Sequence, residues 1–278
     1  KIESVDYYLF DGLGSGFTNL KNTSPFIGMT YILNNNTSIY TNFSNHYETP
    51  TLNELSNDPD GASIGGFNSR LIPQVSNSFE LGLKGYVRND LFYEFSVYRS
   101  KIDNEITSFE LEVSPGKTYY RNIGETQKEG IEVNLSTNLG DNIRADFAYT
   151  YSQFEFSNYI KNSQDLNGNR LPGLPQNLFN TDIYYINPKG YFMVMGFSRY
   201  SNIYLNDSND QEAKPYSVLN FRIGNEFQIY GSRLKVHVGV NNVLNEDYYS
   251  NLRVNAWGGR FYEPAPLANL YLGAEIIF

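Results

Sequence analysis

The feature that most constrains this chain is a period-two alternation of apolar and polar residues, repeated about a dozen times along its length. After Ala268, positions Leu270, Leu272, Ala274, Ile276 and Phe278 alternate with Asn269, Tyr271, Gly273, Glu275 and Ile277. Leu234, Val236, Val238 and Val240 alternate with Arg233, Lys235, His237, Gly239 and Asn241. Leu219, Phe221, Ile223 and Phe227 stand against Asn220, Arg222, Gly224, Glu226 and Gln228. Phe79, Leu81 and Leu83 alternate with Glu80, Gly82 and Lys84, and Ile143 to Ser152 repeat the pattern. Successive side chains of a strand point to opposite faces, so each segment has one apolar and one polar or charged face.

Period two alone does not separate a soluble sandwich from a membrane barrel. Strand and connection lengths do. Strands are expected near 1–10, 26–33, 37–47, 77–88, 90–110, 118–138, 142–156, 177–187, 190–201, 215–228, 232–244 and 268–278. Many reach ten residues or more, about what a tilted strand needs to cross a bilayer. Tight turns at Asn34-Asn35-Asn36, Arg88-Asn89-Asp90, Gly140-Asp141-Asn142, Asn187-Pro188-Lys189 and Tyr230-Gly231-Ser232 alternate with long loops at 11–25, 48–76, 111–117, 157–176, 202–214 and 245–267. Short turns at one rim and long loops at the other are the signature of an outer-membrane barrel, and a sandwich has no reason to segregate them. Tyr7-Tyr8, Tyr184-Tyr185 and Tyr191-Phe192 cluster aromatics at strand ends, as interfacial girdles require. The expected fold is therefore all-β, an antiparallel transmembrane β-barrel in the outer membrane, in contact with outer-membrane lipid.

Composition agrees. Aromatics make up 16% of 278 residues, and no run of eighteen apolar residues exists, which excludes a transmembrane helix. A net charge of −9 argues against a nucleic-acid partner. The absence of Cys suits an oxidising periplasm. No signal peptide is visible, and Lys1-Ile2-Glu3-Ser4-Val5 already reads as strand, so the start is expected to be a cut end.

Six stretches resemble the TonB-dependent receptor family, in that family's order. Pro50-Thr51-Leu52-Asn53-Glu54-Leu55 resembles its P-T-x-x-E-L segment. Glu80-Leu81-Gly82-Leu83-Lys84 resembles E-x-G-x-K, and Asn122-Ile123-Gly124 with Gly130-Ile131-Glu132 resembles N-x-G…G-x-E. Pro172-Gly173-Leu174-Pro175 resembles P-G-x-P. Asn242-Val243-Leu244-Asn245-Glu246-Asp247-Tyr248 is similar to N-L-F-D-x-x-Y, and Gly259 to Pro266 is similar to G-R-x-x-x-P-x-P. The resemblance implies the C-terminal portion, about twelve strands over 1–278, of a 22-stranded barrel whose lumen holds an N-terminal plug. The plug, the TonB-contact box and the first half-barrel are not in this sequence. It further implies active uptake of a scarce solute, a ferric-siderophore or other iron complex first, with TonB, the chain's own plug and half-barrel, and the barrel-assembly machinery as partners. Phe278 resembles the terminal aromatic that this machinery reads. No cofactor and no enzymatic activity are implied.

The ligand would meet the extracellular mouth. There Arg70, Arg121, Arg170, Arg199, Arg253 and Arg260 are candidates to pair with anionic groups, and Tyr200, Tyr204, Trp257 and Tyr262 to stack on aromatic ones. Glu80, Lys84, Glu94, Glu132, Arg144, Asp146, Asp182, Arg222, Glu226, Lys235 and Glu275 read as a polar lumen wall. His46 and His237 are too few and too far apart for a zinc site, so none is expected. Gly12-Leu13-Gly14-Ser15-Gly16 matches neither a nucleophile elbow nor a dinucleotide loop and reads as a flexible loop. Asn206, Asp207, Asp210 and Glu212 read as a solvated acidic loop, with a calcium or ferric-ligand site as the alternative. Alternatives to iron uptake are uptake of cobalamin, copper, heme or oligosaccharide, a self-contained barrel hydrolase, a passive pore, and a soluble all-β binding domain.

Overall fold

A computed structural model describes residues 2–9, 16–60, 66–88 and 90–278. Residues 12–15 of the glycine-rich stretch and Asn89 of one expected turn lie outside them. The chain runs β1 (Ile2–Leu9), β2 (Gly16–Thr23), β3 (Phe26–Asn34), β4 (Thr37–Glu48), α1 (Leu52–Leu55), β5 (Gln74–Val87), β6 (Leu91–Asp103), β7 (Ile106–Leu111), β8 (Ser114–Asn122) and β9 (Glu125–Asn138). It continues through β10 (Ile143–Asn158), β11 (Ile160–Lys161), β12 (Gln164–Asp165), β13 (Asn177–Ile186), β14 (Tyr191–Tyr200), β15 (Ile203–Tyr204), β16 (Glu212–Ala213), β17 (Tyr216–Ile229) and β18 (Ser232–Asn241). It ends with β19 (Tyr249–Leu252), one 3-10 turn (Trp257–Gly259), β20 (Tyr262–Pro264) and β21 (Asn269–Ile277).

Eleven strands form one antiparallel sheet in the order β21-β18-β17-β14-β13-β10-β9-β6-β5-β4-β3. They are a partial barrel wall, and β3 and β21 are each paired on one side only among the described residues. The register carries the alternation across the whole wall. One row runs Leu270, Val240, Phe221, Met195, Ile183 and Ala145. Phe79, Phe95 and Ile223 lie mid-sheet yet are 51, 42 and 45% exposed, so no described part of the chain covers this face. An uncovered apolar band of this extent demands an apolar surrounding. On the opposite face the register aligns Glu275, Lys235 and Glu226, and pairs Lys84 with Glu94 and Asp146 with Asp182. All the charged residues assigned to the lumen wall fall on this face.

Among the described residues the wall has eleven strands, against about twelve expected. β1, expected as a strand, pairs among the described residues only with β2, from Ile2↔Thr23 to Leu9↔Gly16, and β2 lies inside the segment 11–25 expected as loop. Pro25 offers no N–H, and its carbonyl accepts from the Asn45 amide where β3 begins. The long expected strands 90–110 and 118–138 are each broken in two. Asn104 turns at φ 58°, and the peptides cross-bond at the break: Asn104 N donates to Gly124 O at 2.9 Å and Ile123 N to Glu105 O at 2.8 Å. A Cβ at Gly124 would lie 1.7 Å from the Asn158 carbonyl oxygen, so only glycine fits this crossing. Beyond it, β7 and β8 extend as a hairpin of their own.

The short-turn rim is built as expected, with tight turns at 35–36, 139–142, 187–190 and 230–231. Tyr230 and Gly231 both take positive φ, 48° and 87°, which matches the twist of the strands they join. On the polar face, aromatic rings lie over glycines of the neighbouring strand. A Cβ at Gly239 would sit 2.4 Å from the Tyr271 ring, and one at Gly273 2.4 Å from the His237 ring. These contacts bolt the register of β18 to β21. His237 is accordingly packed on the lumen face, against Tyr271 at 5.9 Å between ring centroids.

Gly239→Leu is expected to force Tyr271 out of its seat, costing about 1–3 kcal/mol as overpacking does. The full-length protein should show a lower melting temperature and less heat-modifiable folded band on gels. Adding Tyr271→Ala should restore part of the loss, and no restoration would contradict the ring-on-glycine contact.

Candidate functional site

The long-loop rim is an ordered assembly of short hairpins. Leu52 to Leu55 form a one-turn helix because Thr51 and Glu54 make a capping box: Glu54 N donates to Thr51 Oγ1 at 3.3 Å and Thr51 N to Glu54 Oε2 at 2.7 Å. Leu55 is then fully buried. Asn242, also fully buried, takes φ 50°; its amide donates to the carbonyls of Glu246 and Pro266, and its Oδ1 accepts from Glu246 N. One side chain thus fixes the entry to the β19–β20 loop. Two apolar clusters support the rim. Ile123, Phe156, Tyr159, Leu166 and Leu171 form one, and Ile203, Leu205, Ala213, Ala256 and Phe261 the other.

Between the clusters sits one buried carboxylate. Asp207, 1% exposed at its side chain, is held between β15 and β16 and reached from three other hairpins. Arg121 of β8 donates from Nη2 at 3.3 Å, Lys161 of β11 from Nζ at 3.0 Å, and the Tyr159 hydroxyl at 3.3 Å. Asn255 grips Asp207 twice, Nδ2 donating to Oδ1 at 2.8 Å and Oδ1 accepting from its amide at 3.1 Å. Asn169 donates to its carbonyl at 2.9 Å. A buried charge persists only when paired and hydrogen-bonded, and Asp207 is both. Burial pushes the Tyr159 phenol well above its ordinary value, and the Asp207 carboxylate adds to the rise.

Above the carboxylate opens a cleft of about 450 Å³, lined by Phe109, Arg121, Lys161, Asn206, Asn255 and Trp257 among others. Arg121 lies over the Phe109 ring at 4.7 Å, yet its Nε is buried with no acceptor, and neither has Asn206 Oδ1 a donor. The cleft therefore combines two cations, aromatic walls and unspent hydrogen-bonding capacity. A recess of about 540 Å³ beside Arg144, Asp146 and Asp182 lies along the wall.

The expected binding residues divide. Arg121 and Trp257 line the cleft. Arg260 and Arg253 stand at its edge, both paired with Glu110, at 2.8 and 3.5 Å, and Arg253 also with Glu263 at 2.9 Å. Tyr262 donates to the Glu212 carbonyl at 3.1 Å and packs on Tyr249. Tyr204 has Arg170 over its ring at 5.9 Å. Tyr200 stacks on Tyr216 at 4.7 Å, which meets Tyr248, on the polar face below the loops. Arg70 is away from the cleft, bound to Asp58 at 2.7 Å and to Asp60. Arg199 shares a register row with Phe179 and Ser217, which places it on the apolar face, donating to Ser217 at 2.8 Å. The acidic loop is divided too: Asp207 is the hub, Asp210 accepts from Asn206 at 2.6 Å and Glu212 from Asn202 at 2.8 Å. Among the described residues no three metal-ligating side chains cluster. Lys161, Tyr159 and Asn255 were missed by sequence reasoning, because loop residues carry no periodicity. Phe278 ends the chain exposed beyond β21.

Residues 3–243 match the family model described as "TonB dependent receptor-like, beta-barrel". A probable TonB-dependent siderophore receptor, PiuA, of Acinetobacter baumannii is 26% identical over 63% of this chain and 24% of its own length. The ferrioxamine B receptor of Salmonella typhimurium is 26% identical over 82% of this chain and 30% of its own. The chain thus spans less than a third of these curated relatives. Among solved structures, the ferric citrate transporter FecA covers 99% of this chain with 41% of its own, at TM-score 0.76 and 16% identity. The siderophore receptor PiuA of Acinetobacter baumannii covers 98% with 38%, at TM-score 0.71 and 18% identity.

Stability from the neutral Tyr159 phenol is complete below pH 10, where folded and unfolded forms are both protonated, and is lost as the pH rises above it. Hydrogen exchange of the 157–171 segment should therefore speed up from about pH 10. Tyr159→Phe should remove that extra acceleration; a Tyr159→Phe profile identical to wild type would contradict the burial.

Proposed function

The chain belongs to the TonB-dependent receptor-like β-barrel family, and from that premise we propose that it forms wall and outer mouth of an outer-membrane receptor that imports an iron complex of the ferric-siderophore type. The apolar face meets outer-membrane lipid and the polar face lines the lumen. Strands outside this segment complete the wall at β3 and β21, and a plug rests against recesses such as that beside Arg144, Asp146 and Asp182. TonB, acting through that plug, supplies the energy, so the chain itself performs no covalent chemistry.

The observation that carries the reading is the cleft at the long-loop rim. Arg121 and Lys161 line it, Arg121 with a buried Nε that has no acceptor, and Phe109 and Trp257 supply flat surfaces. This set suits a ligand with anionic oxygens on aromatic or otherwise flat groups, as iron chelators have. The names of the relatives, siderophore and ferrioxamine B receptors, support the iron class over cobalamin, heme or oligosaccharide. Arg70 and Arg199 are not part of the proposed site. Arg253, Arg260, Tyr200, Tyr204 and Tyr262 shape and brace its surroundings.

The test is growth of a strain lacking the full-length receptor, complemented by wild type or Arg121→Ala, on defined ferric complexes as sole iron source. Wild type is expected to restore growth on at least one. Arg121→Ala should weaken binding of that complex by roughly 10- to 100-fold, the loss of a charge-assisted hydrogen bond of about 1.5–3 kcal/mol. Growth restored on no iron complex, but on cobalamin or heme, would overturn the iron reading.

A further inference from the structure

Asp207 is bound unequally on its two sides. On one side Asn255 holds it at 2.8 Å through Nδ2 and at 3.1 Å through the backbone. On the other, Arg121 Nη2 stands at 3.3 Å, long for a charge-assisted bond, which ordinarily closes to about 2.7–2.9 Å. The guanidinium spends one nitrogen on Asp207 while Nε is left buried without an acceptor. Lys161 reaches the same oxygen at 3.0 Å. Both cations are 30% exposed and line the cleft, while the carboxylate behind them is 1% exposed. The carboxylate is held firmly by Asn255 of the β19–β20 connection, and of the two cations Arg121 is the loosely held one.

We infer that Asp207 is a resident counter-ion that holds Arg121 and Lys161 until an anionic group on the ligand takes them over. The inference rests on the uptake reading and names the ligand chemistry of the same cleft. A group with two coplanar anionic oxygens, a carboxylate or a catecholate, would accept from Nε and Nη2 of Arg121 together, satisfying the fork that Asp207 leaves half used. Lys161 would follow. Asp207 stays on Asn255, and the β11–β12 hairpin loses its tie to the β15–β16 loop. Ligand capture is thereby coupled to a rearrangement of the rim, and Asp207 competes with every anionic ligand.

A strut and a competitor give opposite results on Asp207→Asn. The substitution keeps the shape and the Asn255 contact but removes the charge. In the full-length receptor, binding of the ferric complex of 2,3-dihydroxybenzoate, an anionic probe, is expected to tighten about ten-fold. A neutral ferric tris-hydroxamate should change less than two-fold. Unchanged or weaker binding of the anionic probe by a folded Asp207→Asn receptor overturns the inference. Should that variant not fold, Lys161→Gln decides: it is expected to weaken the anionic probe at least five-fold and spare the neutral one, and equal effects on both overturn it. If wild type binds neither complex, inorganic pyrophosphate is the probe, and the uptake reading is judged by the growth test alone. Loss of hydrogen-exchange protection in the 159–171 and 203–213 segments on adding pyrophosphate would support the counter-ion, and unchanged protection at saturating pyrophosphate would overturn it.

Discussion

Every property of this wall depends on strand register. Side chains alternate strictly, so a slip of one residue between any two strands would carry Phe221 or Leu272 into the lumen and Arg222 or Glu275 onto the apolar face. The ladder of backbone bonds does not by itself forbid the slip, since a shifted ladder has nearly as many bonds. The side chains forbid it. Tyr271 over Gly239 and His237 over Gly273 fit in one register only. Tyr40 does the same over Gly82, while donating from its hydroxyl to Glu80 at 3.1 Å. The polar face is therefore the specifying face, and the apolar face supplies the partition into lipid.

The mouth follows a different logic. Hairpins outside the bilayer can neither use the lipid nor a shared ladder, so they are tied by small apolar clusters and two buried carboxylates. Glu110 gathers Arg253 and Arg260, and Asp207 gathers Arg121 and Lys161. Removing one member of a buried ion pair leaves a charge that neither water nor protein compensates, which makes such ties costly to cut and sensitive to a competing charge. Of the two, Asp207 is the tie whose cations also line a cleft, with Arg121 Nε left without an acceptor.

Much of the wall was legible in the sequence. Tyr230-Gly231 and the asparagine turns gave the short rim, and alternation gave both faces. Even Arg199 was legible in hindsight: it continues the row Met193, Met195, Phe197, which the register places on the apolar face, so its position argued against the mouth. What alternation could not reveal was hydrogen bonding between segments. Nothing in Ile2–Leu9 says that it pairs with Gly16–Thr23 alone, nor that the pattern through Asn104 and Gly124 is two strands rather than one. The hub was least legible. Arg121 of β8, Lys161 of β11 and Asp207 are far apart in sequence, no periodicity links them, and Asp207 read as a solvated acid because its neighbours Asp210 and Glu212 are polar too.

The central claim is that one face of this wall meets lipid and the other water. The segment contains no Cys, so single cysteines carrying spin labels can be walked along β18 from Leu234 to Asn241 in the full-length receptor, reconstituted in bilayers. Oxygen, which concentrates in lipid, should relax labels at 234, 236, 238 and 240, and a water-soluble nickel chelate should relax those at 235, 237 and 241. Accessibility without a period of two, or with the phases exchanged, would contradict the account.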